Sequence, residues 1–67
     1  MPRFGIGDRI KILPEGATPF VGLEGVIQEV LPNDRGIATL DRYIVTFKWG
    51  ERQTFYGVQL GSVTTHQ

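Results

Sequence analysis

Hydrophobic and polar residues change places in short runs along this chain, and most runs are closed by proline or glycine. Arg9-Ile10-Lys11-Ile12-Leu13 alternates polar and apolar, which puts Ile10 and Ile12 on one face of a first strand. Pro14 closes that strand, because proline has no N–H to give to a sheet ladder. Residues 14–20 (PEGATPF) read as a loop. Gly22-Leu23-Glu24-Gly25 then turns into Val26-Ile27-Gln28-Glu29-Val30-Leu31, where a polar pair separates two apolar pairs. Strict alternation does not give that pattern, whereas a β-bulge or a bent strand does. Gly25 beside it fits a close approach of another backbone. A helix competes for this stretch, but two glycines and the β-branched content disfavour it. Residues 32–40 (PNDRGIATL) form the longest connection, with turn chemistry at Pro32-Asn33-Asp34 and again at Gly36.

The densest run is residues 43–60 (YIVTFKWGERQTFYGVQL), which holds the only tryptophan, both tyrosines and two of the four phenylalanines. Two segments rich in β-branched and aromatic residues flank Lys48-Trp49-Gly50-Glu51, and this is a hairpin signal with Gly50 at the position of positive φ. Two registers compete. In one, Phe47 faces Arg52 and Val45 faces Thr54. In the other, Phe47 faces Gln53 and Val45 faces Phe55. The second is expected, because Tyr43, Val45 and Phe47 then share a face with Phe55, and a slip of one residue would reverse the whole second strand. Gly57-Val58-Gln59-Leu60 reads as one 3₁₀ turn, Leu60 to Val63 as a last short strand, and Thr64-Thr65-His66-Gln67 as a tail.

These elements predict an all-β chain of five short strands forming one domain over residues 1–67, with an ordered core over about residues 4–63. The expected core is Ile10, Ile12, Ile27, Val30, Val45, Phe47, Phe55 and Leu60. Cysteine is absent, so neither a disulfide framework nor a thiolate metal site can assist so small a core, and self-association is the common aid left. The formal net charge is zero, which counts against a nucleic-acid partner. No apolar run has the length of a membrane span, and Met1-Pro2-Arg3-Phe4 lacks the apolar centre of a secretory leader, so the cytoplasm is the expected compartment.

Five strands, a bent second strand and a 3₁₀ turn before the last strand resemble the SH3-like barrel. The opening GDRIKIL … GLEGVIQEV also resembles the KOW motif of ribosomal and transcription-factor barrels. The hairpin and the ending TFYGVQL look like other members of that fold, among them the small peripheral subunit of photosystem I and the β-subunit barrel of nitrile hydratase. A more detailed likeness is to the plasmid-encoded type II dihydrofolate reductases. Those barrels begin Phe-Gly-x-Gly-Asp-Arg, matched here by Phe4-Gly5-Ile6-Gly7-Asp8-Arg9. They later carry Gly-Ser-Val-Gln-Ile-Tyr on the strand lining the pore of a homotetramer. The matching segment here is Gly50-Glu51-Arg52-Gln53-Thr54-Phe55, and the position of the family's pore lysine is Ile12.

Two functions follow as expectations. The fold resemblance implies a non-catalytic binding or assembly module that docks on a protein partner or on further copies of itself. Its contact residues would be Trp49, Arg52, Gln53 and Tyr56. No catalytic constellation stands out: Ser62 has no base near it in sequence, and the acids, Asp41 and Glu51 included, read as solvated surface. Trp49 beside a turn glycine reads either as an exposed contact anchor or as a ring folded back over the barrel end. The reductase resemblance implies the alternative, a homotetramer passing a hydride from NADPH to dihydrofolate in a central pore. Gln53, Thr54 and Phe55 would be its site residues, and no metal would be needed.

Overall fold

The alternating runs become strands in the computed structural model, which describes residues 4–16 and 18–63. The strands are β1 (Arg9–Ile12), β2 (Glu24–Leu31), β3 (Arg42–Thr46), β4 (Arg52–Tyr56) and β5 (Leu60–Ser62). Single 3₁₀ turns stand at Pro14–Gly16, Ala38–Leu40 and Gly57–Gln59. The strands make one antiparallel sheet in the order β4-β3-β2-β1-β5, so the hairpin strand β4 and the last strand β5 are its two edges. The expected tail at residues 64–67 lies outside the described residues. Among those described, no helix is long and apolar enough to cross a membrane.

The polar pair inside β2 marks a bulge. Ile27 pairs with Val45 but Glu29 pairs with Ile44, so Gln28 has no residue opposite it. The extra residue lets Ile27 and Val30 both face inward although two residues separate them. Gly25 is buried against β3. A Cβ there would overlap Val45 Cγ1 and lie 3.1 Å from the Thr46 carbonyl oxygen. Only glycine allows β2 and β3 to come so close at this point.

The hairpin register differs from both expected ones. Val45 pairs with Gln53 and Tyr43 with Phe55. Phe47 pairs with Glu51, donating its N–H to the Glu51 carbonyl at 2.9 Å. The loop is Lys48-Trp49-Gly50, closed by the Gly50 N–H on the Phe47 carbonyl at 2.9 Å, with Gly50 at φ 92°. A loop this tight moves the pairing two residues from the expected Val45–Phe55 register. Two is the period of a strand, so the faces survive: Tyr43, Val45, Phe47 and Phe55 all point inward.

The core consists of Phe4, Ile10, Ile12, Ile27, Tyr43, Val45, Phe47, Phe55 and Leu60. Val30, expected among them, is half-buried against this cluster, as is Phe20. Phe4 and Tyr43 join it because their rings meet edge to face at 5.5 Å and the Phe4 N–H donates to the Tyr43 hydroxyl at 3.5 Å. A buried tyrosine needs such a partner for its oxygen. Asp41 is a second correction. It is buried rather than solvated, because its Oδ1 accepts the Asn33 N–H at 2.5 Å and its carbonyl accepts the Gly57 N–H at 2.8 Å. One residue, through its side chain and its backbone carbonyl, thus ties the long connection to the turn before β5.

Candidate functional site

The tight loop decides where Trp49 stands. Its ring lies parallel to Phe47, 4.9 Å away and tilted by 6°, and Phe20 stacks on the same Phe47 at 5.1 Å and 10°. The Trp49 Nε1–H donates to Glu51 Oε1 at 3.0 Å. Gln53 Nε2 donates to the other carboxylate oxygen at 2.6 Å. These two hydrogen bonds hold the Glu51 carboxyl below the usual carboxylate range, since both favour the charged form. Glu51 is therefore a clamp on the tryptophan and not merely a solvated acid. Trp49 combines both sequence expectations: it folds back onto Phe47, yet 52% of its surface stays exposed.

Beside Trp49 runs a groove of about 780 Å³. Ile6 of the lead-in, Arg9 of β1, Leu23 just before β2, Val26 within it, and Lys48 and Trp49 of the hairpin supply most of its character. The lead-in is held there by backbone pairing, with the Gly7 N–H on the Ile27 carbonyl at 2.8 Å and the Ile27 N–H on the Asp8 carbonyl at 2.9 Å. Ile6 is 73% exposed and Val26 41%, so the groove gathers exposed apolar surface, with Arg9, Lys48 and Glu24 as its charged residues.

The four expected contact residues divide. Arg52 and Tyr56 are exposed and project from the outer face of β4, opposite Thr46 and Arg42 of β3. Gln53 is half-buried on the other face, where it acts through Glu51. Trp49 stands in the groove wall. Sequence reasoning did not select Ile6, Arg9 or Val26. The available signal was Val26, an outward-facing apolar residue on a strand whose inward positions are Gly25 and Ile27.

The alternative site residues share β4 but not a surface. Thr54 is exposed, Gln53 is half-buried and Phe55 is in the core. The position of the family's pore lysine, Ile12, is 1% exposed and packs in the same core. In the single chain these residues do not fit NADPH. The Gln53 amide is already donated, a carboxylate stands beside it where an anionic cofactor would have to sit, and Phe55 and Ile12 face inward. Among the described residues, no group of three or more histidine, aspartate or glutamate side chains is placed to hold a metal ion. Comparison of the chain with protein-family models, with curated proteins and with solved structures finds no match.

Proposed function

We propose that the chain is a non-catalytic SH3-like barrel module that docks on a protein partner through the groove beside Trp49. The strand order, the bulged β2 and the 3₁₀ turn immediately before β5 support the barrel reading. The observation that carries the docking reading is the posture of Trp49. The chain's only tryptophan is half-exposed, stacked on Phe47 and held at its N–H by Glu51. A large side chain fixed before contact loses little conformational freedom on binding, and this is how aromatic anchors concentrate affinity. Arg52 and Tyr56 extend the contact along the outer face, and Gln53 serves by holding Glu51.

The test compares the wild-type chain with Trp49→Ala, each immobilised and offered the same cell extract, with retained proteins then titrated individually. Trp49→Ala weakens binding by about 2 kcal/mol or more. Its thermal melt stays cooperative, because the ring is stacked on the core rather than enclosed by it. Partners retained equally by both chains would move the interface away from the groove.

The alternative is the type II dihydrofolate reductase-like homotetramer using NADPH. One observation favours it: Gln53, Thr54 and Phe55 lie on β4, an edge of the sheet that further copies of the chain can reach. Dihydrofolate-dependent NADPH oxidation by a sample with the mass of four chains is its signature.

A further inference from the structure

We propose a second interface, in which two copies of this chain join edge to edge along β4, antiparallel, with Thr54 on the two-fold axis. It is independent of the docking reading, because no residue of β4 lines the groove. The backbone of the hairpin carries it. Phe47 donates its N–H to the Glu51 carbonyl at one end of the β3–β4 ladder, and Gly57 donates to the Asp41 carbonyl at the other. Between those ends Val45 lies opposite Gln53 and Tyr43 opposite Phe55. Hydrogen-bonded pairs alternate along an antiparallel ladder, so Glu51, Gln53, Phe55 and Gly57 are the residues that bond to β3. The N–H and C=O groups of Arg52, Thr54 and Tyr56 therefore point away from it. Gln59 Oε1 accepts the Tyr56 N–H at 2.8 Å. Among the described residues, no strand other than β3 pairs with Arg52 or Thr54, and no loop backbone bonds to them.

Such an edge is a template for another strand, and chains that avoid this pairing blunt the edge with proline, a bulge or a covering segment. β4 contains no proline, and its register against β3 is unbroken. Its own sequence complements it. Antiparallel pairing about Thr54 sets that residue opposite the second copy's Thr54, and sets Arg52 opposite the second copy's Tyr56. Arg52, Thr54 and Tyr56 are all exposed, on the face opposite Gln53 and Phe55, so these partners meet on one surface.

The chemistry of the seam agrees with this register. A threonine pair is a favourable cross-strand contact, and each guanidinium gains a tyrosine ring. The symmetry makes the arginine–tyrosine contact twice. The two arginines lie four residues apart along the seam, about 14 Å, which exceeds the screening length of about 8 Å at physiological salt. Each Thr54 N–H meets the other copy's Thr54 carbonyl, and each Arg52 N–H meets a Tyr56 carbonyl, with both Gln59 contacts left intact. A formal net charge of zero sets up no long-range repulsion between copies, and a chain of 67 residues without cysteine gains from a larger shared sheet.

Sedimentation equilibrium over a concentration series tests the pairing, and charge swaps at the axis test its register. The wild-type chain is expected to reach the mass of two chains. Thr54→Lys and Thr54→Glu, both at an exposed position, set like charges opposite each other and should each dissociate about threefold to tenfold more readily. An equal mixture of the two should pair at least as tightly as wild type, because a two-fold axis at Thr54 brings the lysine against the glutamate. Hydrogen exchange on the wild-type chain gives a readout that needs no variant. The Thr54 and Arg52 amides should gain protection as the chain is concentrated. A single-chain mass at every concentration overturns the proposal. So does a dimer whose Thr54 and Arg52 amides gain no protection, or a lysine–glutamate mixture that pairs no better than its components. Species heavier than two chains, built head to tail from β4 of one copy to β5 of the next, overturn the two-fold arrangement. Each of these results leaves the groove reading untouched, since Trp49→Ala decides that one.

Discussion

Glu51 receives one hydrogen bond from the Trp49 indole and one from the Gln53 amide, and both lower its pKa from the ordinary value of 4.5. A carboxyl depressed in the folded state contributes stability that is fully present above the ordinary value. That contribution is lost as pH falls through the lowered one. Acid titration of Trp49 emission should therefore show a transition below pH 4.5 that Glu51→Gln lacks. The same transition in Glu51→Gln would assign it to another acid. The arrangement was partly legible: Trp49, Glu51 and Gln53 alternate at strand spacing, but the sequence does not show that the loop is tight enough to bring them together. Gly25 was legible outright, as a glycine beside an irregular strand. Gly25→Ala should cost about 1–3 kcal/mol in denaturant melts, because the added methyl meets Val45, the Thr46 carbonyl and Phe47 on a strand with no room to retreat. A wild-type midpoint would mean that β2 and β3 separate more easily than their packing implies.

The five strands, their order along the chain and the bulge in β2 follow from local pattern, because strand periodicity and glycine placement act over a few residues. Register does not, since it depends on how tightly a loop closes, and the two-residue displacement of the hairpin is the result. Inward faces survive that displacement, so the aromatic core was readable where the pairing was not. Val45→Ala and Phe47→Ala should each lose about 2–5 kcal/mol in chemical denaturation. Near-wild-type stability for both would contradict the burial of this face. The bulge makes a sharper prediction. Removing Gln28 joins Ile27 to Glu29 and leaves a regular ladder in which every remaining side chain keeps its face. Deletion of Gln28 should still give a cooperative melt. Deletion of Ile44, which reverses one part of β3 against the other, should not.

On the scale of the whole molecule, the groove was the least legible feature, because its walls come from the lead-in, β1, β2 and the hairpin tip, which are far apart in sequence. Trp49 could be singled out alone, but Ile6, Arg9 and Val26 gain meaning only once the sheet sets them beside it. The same assembly bears on the reductase-like alternative. Ile12→Lys, which would restore the missing pore cation, places an ammonium group in the core, where desolvation costs several kcal/mol. A domain of this size has roughly 3–10 kcal/mol of stability in all, so the variant should lose its cooperative melt. A stable Ile12→Lys chain would show that this position reaches water in an assembled form. The central claim is that a polypeptide segment occupies the groove beside Trp49, and amide resonances followed through a titration with a partner that the wild-type chain retains test it most directly. The shifts should gather at Ile6, Arg9, Val26, Thr46, Lys48 and Trp49. Shifts confined to β5 and the Ala38–Leu40 turn, or none at saturating partner, would contradict it.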